Sequence, residues 1–285
     1  MGASRSERPP TAPRRGRLAG LVRACHPEPT VTVTVVATLL AVATGRSAAG
    51  VVAVGAAVLA GQLSVGWHND WFDAPRDVAA RRADKPIPAG RVSRRSVGTA
   101  AALALAVCIP LSLLSGPEAG AAHLLAVASA WAYNARLKAT RWSWLPYAVS
   151  FALLVSFVSL GRPGAPLPPW WALGAAALLG VGAHLANTVP DLDSDRAAGV
   201  SGLPHRLGAR RSVAASCALL LGASGLVAFG PGRPGWSALG LAAAVLLVAG
   251  GVLAARRGSP ELLFRASLLV ALVDVAMLVS QGRSL

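Results

Sequence analysis

Twelve Asp and Glu residues serve the whole 285-residue chain, and half of them crowd into two short segments. The first holds Asn69, Asp70, Asp73 and Asp77; the second holds Asn187, Asp191, Asp193 and Asp195. Both carry the skeleton Asn-x₃-Asp-x₃-Asp. On a helix, residues advance roughly 100° each, which brings Asp70, Asp73 and Asp77 within about 60° of one another, and Asn187, Asp191 and Asp195 within about 80°. Asp193 falls on the opposite side. Carboxylates sharing one face repel unless a cation lies between them. Oxygen-only donors favour Mg²⁺, which takes one or two carboxylates and completes its shell with phosphate oxygens and water. A diphosphate bridging both clusters would supply those oxygens. Solvated loop charges or helix caps are the plain alternative, and they give no reason for the spacing to recur.

The elements that must hold these residues follow from the rest of the chain. Each cluster precedes a similar opening of an apolar run, Arg94-Arg95-Ser96-Val97 and Arg210-Arg211-Ser212-Val213, at nearly the same distance. The double echo indicates an internal duplication. With 54% hydrophobic and 14% charged residues, the chain is too apolar for an ordinary soluble domain. About nine apolar runs recur from Thr30 to Ser280, each near the roughly 20 residues a bilayer crossing needs. The pattern predicts an all-α, multi-span transmembrane bundle of about nine helices in two parallel pseudo-repeats. Four spans separate the motif helices, so both run in one direction about an axis along the membrane normal and face one cavity.

The net charge of +15 would suit a nucleic-acid partner only on a basic face of a soluble fold, whereas here the arginines sit between spans. Of the 27 Lys and Arg residues, only Arg46, Arg162, Arg233 and Arg283 fall in one alternate set of loops. That asymmetry places the N-terminus and both motifs on the cytosolic side and Leu285 outside. Trp67, Trp71, Trp142, Trp144, Trp170, Trp171 and Trp236 stand near predicted span ends, where indoles favour the interface. Residues 1–29 lack the apolar core of a signal peptide and are expected to be a disordered basic cytosolic tail, with the membrane domain over 30–285. Cys25, Cys108 and Cys217 are isolated and are taken as packing residues.

Asn69-Asp70, Asp73 and Asp77 match NDxxDxxxD in full, and here the sequence resembles the UbiA superfamily of intramembrane prenyltransferases. The stretch from Asp84 to Arg91, DKPIPAGR, resembles that family's basic-Pro-x-Pro-small-Gly loop, and Asp191, Asp195 and Gly199 resemble its second motif, D-x₃-D-x₃-G. Tyr133 followed by Arg136 and Lys138 is similar to a Tyr-x₂-basic stretch of its second cap loop. Thr188 departs from the pattern, since many members carry Asp there.

The resemblance implies a lipid-accessible cavity in which two Mg²⁺ ions hold a prenyl diphosphate. Asn69, Asp70, Asp73, Asp77, Asn187, Asp191 and Asp195 would be the metal ligands, with Asn69, Asp73, Asp77, Asp191 and Asp195 as the catalytic set. Lys85, Tyr133, Arg136 and Lys138 would bind substrate, although positive-inside charge also accounts for Lys85, Arg136 and Lys138. The implied reaction is transfer of the isoprenyl group to an aromatic or other lipophilic acceptor within the cell membrane. A UbiA-type terpene cyclase would use the same motifs. An ion-coupled transporter is the alternative of another class, but its binding groups usually sit near the midplane. Asp274, near the middle of the last span, is either functional or a hydrogen-bonded structural residue. His26 and His68 could line the cavity mouth and are left outside the catalytic set.

Overall fold

In a computed structural model, which describes residues 14–197, 199–230, 232 and 237–280, the apolar runs are helices. They are α1 (Arg14–Ala24), α2 (Pro27–Ala43), α3 (Ala48–Ala79), α4 (Arg94–Leu113), α5 (Pro117–Ala135) and α6 (Leu145–Leu160). There follow α7 (Trp170–Thr188), α8 (Leu192–Ala197), α9 (Leu203–Leu207), α10 (Ala209–Phe229), α11 (Ser237–Arg256) and α12 (Glu261–Ser280). Nine of these, among the described residues, reach 16 residues or more. Six stretches are long and apolar enough to cross a membrane by themselves; α1 and α2 qualify as a pair bent by 59°, and α6 is a shorter apolar helix. The outward faces carry exposed aliphatic side chains, Val52, Leu103 and Leu246 among them. Such surfaces are stable against lipid and not against water. The chain is a multi-pass membrane protein.

The helices close into a ring. In sequence order α2 packs on α3, α3 on α4 and α5, α5 on α6, α6 on α7, α7 on α10, α10 on α11 and α11 on α12, and α12 returns to α2. Between helices in lipid the hydrophobic effect gives little drive, and association depends on close packing of small residues. The α7–α10 seam shows this. Gly182 lies against Leu220, and Ser216 Oγ donates to the Gly182 carbonyl at 2.8 Å.

Short links at 44–47 and 114–116 join helices at one end, while long links at 80–93, 136–144 and 189–208 lie at the other. Consequently α3, α5 and α7 all run toward the end with the long links, as the duplication requires. The two motif segments also stop at equivalent positions, Ala79 and Ala197, keeping the register of Asn69 with Asn187.

One expectation needs correction. The tail is helical from Arg14 through Ala24 and again from Pro27, so it is not disordered over 14–29; residues 1–13 and Leu285 lie outside the described residues. α1 is held because its end crosses α3 at Gly66, where any side chain would overlap the Cys25 backbone, and because Trp67 Nε1 donates to the Leu21 carbonyl at 2.9 Å. The apolar stretch of α3 gives way to polar residues after Gly66, and the helix continues to Ala79, as the helical spacing of the first motif expects. Pro75 lies inside this extension and removes the backbone donor for the Trp71 carbonyl, a loss of about 3 kcal/mol in an ordinary helix. Here Arg94 Nε supplies a replacement at 3.0 Å, and the helix runs on.

Candidate active site

The extension of α3 beyond the apolar run places four functional side chains at one end of the ring. Asn69, Asp70, Asp73 and Asp77 all line a cavity of about 640 Å³. The three aspartates are almost wholly buried. Buried carboxylates need partners, and basic side chains from four directions approach Asp70 and Asp73. His26 Nε2 lies 3.0 Å from Asp70 Oδ1, and Lys85 Nζ donates to the same oxygen at 3.0 Å. Arg76 lies 3.2 Å from Asp73, and Lys138 donates to the other oxygen of Asp73. Asp77 makes no ion pair within the described residues, so its oxygens are open to the cavity. Asn69 donates to Asn134 Oδ1 at 3.1 Å, which turns its own carbonyl oxygen free to act as an acceptor.

The second cluster reaches the same cavity from α7 and the turn beyond it. Asn187, Thr188, Asp191 and Asp195 line it, and Asp193 does not. Pro190 interrupts the helix, and Val189–Asp191 form a 3₁₀ turn before α8. Although the segment is not one continuous α-helix, the division of its acids survives: the Asp193 side chain is fully exposed. Asp191 is 48% exposed and pairs with Arg82 Nη2 at 3.4 Å. Asp195 lies 3.4 Å from His205 Nε2.

The basic groups outside the spans respond to this field. Burial opposes the charge of Lys85, but Asp70, Asp77 and Asp73 outweigh it and hold its pKa above that of an ordinary lysine. For Lys138 burial wins, only partly offset by Asp73, and its pKa falls below the ordinary value. Arg82 clamps Asp84 with two hydrogen bonds, at 3.0 and 2.9 Å, keeping that carboxyl below the usual range. The loop carrying Lys138 is pinned by Gly202, since a side chain there would collide with the Lys138 carbonyl.

Of the candidate substrate-binding residues, Lys85, Tyr133 and Lys138 line the cavity. Arg136 does not; it is exposed at the end of α5, away from the cavity lining. His68 is buried against Trp131, with ring centroids 3.9 Å apart, outside the cavity. His26 lines the mouth as expected, whereas Arg76, Arg82, Tyr147, His184 and His205 are lining residues that the sequence reading did not single out. Arg76 alone carried a local signal, standing three positions after Asp73 on the same helix.

No three His, Cys, Asp or Glu side chains among the described residues converge into a ready metal cage. The donor chemistry nevertheless fits Mg²⁺. The open oxygens of Asp77, with Asp73 and Asn69 beside them, are hard donors, and Mg²⁺ asks for one or two carboxylates where a polyphosphate supplies the rest. At its inner end the cavity shares Val33, Phe151, Ala183 and Leu268 with a narrower apolar pocket that continues between α2, α6, α7, α10 and α12. The whole is a charged mouth leading into an apolar channel inside the bundle.

Comparison with known proteins agrees with this architecture. The chain is 33% identical over 181 residues to the bacteriochlorophyll synthase 33 kDa chain of Cereibacter sphaeroides, covering 60% of this chain and 59% of that protein. It is 31% identical over 217 residues to digeranylgeranylglyceryl phosphate synthase of Methanoregula boonei, covering 73% and 75%. Among solved structures, the apo UbiA homologue from Aeropyrum pernix K1 superposes with a TM-score of 0.74 at 22% identity, over 88% of this chain and 96% of that one. The Archaeoglobus fulgidus homologue bound to GPP and Mg²⁺ gives 0.70 at 18% identity, over 91% and 98%. The family match covers residues 30–273, and the chain belongs to the UbiA prenyltransferase family.

Proposed function

We propose that this protein transfers an isoprenyl group from a prenyl diphosphate to an aromatic or other lipophilic acceptor, in a Mg²⁺-dependent reaction within the cell membrane. One observation carries the reading: two acidic clusters and five cations, Arg23, Arg76, Arg82, Lys85 and Lys138, surround a mouth that opens into an apolar channel. A diphosphate has the charge for the first region, and a prenyl chain has the polarity for the second. The relatives named for bacteriochlorophyll and digeranylgeranylglyceryl phosphate synthesis, and the homologue holding GPP with Mg²⁺, support the same substrate class.

Asn69, Asp73 and Asp77 would hold metal on one side and Asn187, Asp191 and Asp195 on the other, with Asp70 fixed by His26 and Lys85. Bound Mg²⁺ would neutralise charge developing on the leaving diphosphate. The protein's own cations complete that neutralisation. In the closed ion pairs Lys138 and Arg82 face Asp73 and Asp191; exchanging carboxylate for phosphate would turn both toward the leaving group. The channel keeps water from the allylic carbon as positive charge develops there. The positive-inside asymmetry supports a mouth at the cytosolic face.

Incubating the purified chain with geranyl diphosphate and a panel of phenols and lipid alcohols tests the reading. Prenylated acceptor and stoichiometric diphosphate are expected with Mg²⁺, and neither after chelation. Undiminished turnover after exhaustive chelation would remove the metal from the reaction. Cyclised hydrocarbon from the diphosphate alone would replace transfer with cyclisation.

A further inference from the structure

Behind the first acidic cluster, a network of neutral polar groups joins α3 to α5. Asn134 of α5 is only 3% exposed, and both arms of its amide are engaged. Its Nδ2 donates to the Val65 carbonyl at 3.0 Å and to His68 Nδ1 at 3.3 Å. Its Oδ1 accepts from Asn69 Nδ2 at 3.1 Å. The oxygen and nitrogen of an amide are told apart by their partners, and a backbone carbonyl leaves no choice because it can only accept. Turning Asn134 over would set oxygen against oxygen at Val65, so its nitrogen faces Val65 and its oxygen faces Asn69. Asn69 must then give its nitrogen to Asn134. The Oδ1 of Asn69 has no partner among the described residues, is not sealed from solvent, and belongs to the wall that Asp73 and Asp77 also line. His68 is itself held, its ring stacked on Trp131, whose Nε1 donates to Ser64 Oγ at 3.3 Å.

We propose that Asn134 is a positioning residue for the metal centre: it locks the Asn69 amide so that oxygen, and not nitrogen, is offered to Mg²⁺. An amide serves a hard cation in only one of its two orientations, because Mg²⁺ takes oxygen donors and the NH₂ group turns its protons outward. Asp73 and Asp77 need no such lock, since a carboxylate presents oxygen either way round. With its donors and its oxygen already engaged, Asn134 acts through Asn69. The assignment rests on the Mg²⁺ reading of Asn69, Asp73 and Asp77. A mere clasp between α3 and α5 would need only the bond from Asn134 to Val65, and would be indifferent to the side chain at position 69.

Calorimetric titration of Mg²⁺ into the detergent-solubilised full chain with geranyl thiolodiphosphate tests this without turnover. In Asn134→Ala, Mg²⁺ is expected to bind about tenfold more weakly than in the wild type. In an Asn69→Asp background the same substitution should cost no affinity, because a carboxylate has no wrong orientation for Asn134 to prevent. Unchanged Mg²⁺ affinity in Asn134→Ala, or an equal loss in both backgrounds, would overturn the positioning role while leaving the Mg²⁺ reading intact. If the wild type itself binds no Mg²⁺ beside the analogue, that reading falls and the positioning role falls with it. Asn134→Ala also removes the bond to Val65 and should lower the thermal midpoint in both backgrounds, which separates its effect on stability from its effect on the metal. Should it not be recovered folded, Asn134→Ser, too short to span from Val65 to Asn69, decides by the same comparison.

Discussion

The two acidic clusters share a spacing but not a construction. The first lies on an unbroken helix, its aspartates buried and fixed by His26, Lys85, Arg76 and Lys138. The second lies across a 3₁₀ turn and a helix of 6 residues, with Asp191 half exposed beside Arg82, Asp193 fully exposed beside Arg196, and Asp195 beside His205. Both segments contain a proline, and its surroundings decide the outcome. At Pro75 the orphaned carbonyl finds Arg94, whereas at Pro190 the backbone tightens into a turn. One duplicated motif has therefore become a rigid anchor on one side and an adaptable arm on the other.

If that contrast governs function, loss of the anchor should cost most. Asp73→Ala or Asp77→Ala is expected to lower diphosphate release from geranyl diphosphate by roughly 10³-fold or more, because a metal ligand and the field around the leaving group go together. Activity within about tenfold of wild type would show the first cluster to be dispensable. On the adaptable arm, Asp191→Ala or Asp195→Ala should lower turnover by about 10- to 100-fold, and part of the loss should return as Mg²⁺ is raised. A loss as complete as that of Asp77→Ala, insensitive to Mg²⁺, would erase the distinction.

A third measurement addresses the cations paired with the clusters. Lys138→Met should reduce turnover by about 10²-fold if Lys138 leaves Asp73 for the leaving group. An increase in turnover would mean that its ion pair only obstructs the metal site. The smallest effect is expected within the second cluster: Asp193→Ala should stay within about twofold of wild type, since its side chain is surface charge. An inactive Asp193 variant beside an active Asp191 variant would overturn the assignment of faces.

Much of this was legible from residue order. Apolar runs of bilayer length gave nine long helices, and repeated acids in an acid-poor chain marked both motifs. The separation of Asp193 from Asp191 and Asp195 followed from angular position and outlasted the break at Pro190, because a 3₁₀ turn shifts the angle of successive residues only modestly. The reach of α3 past Gly66 was not legible by hydropathy, which registers lipid contact and cannot register polar residues stabilised by remote cations. The tail was misread for a related reason: its arginines suggested disorder, while its order depends on a close crossing at Gly66.

The sequence alone determined the class of the molecule, the identity of its two acidic motifs and the direction in which both point, because each depends on periodicity and composition. Only the tertiary structure decided which charges serve the site. Arg76, Arg82, Lys85, Lys138 and Arg136 are alike as basic residues at span ends, and four line the cavity while Arg136 faces outward. That choice depends on how the 80–93, 136–144 and 189–208 links fold over one another. Their packing rests on contacts between residues far apart in the chain, such as Gly202 under Lys138 and Arg82 against Asp191, which no local pattern encodes.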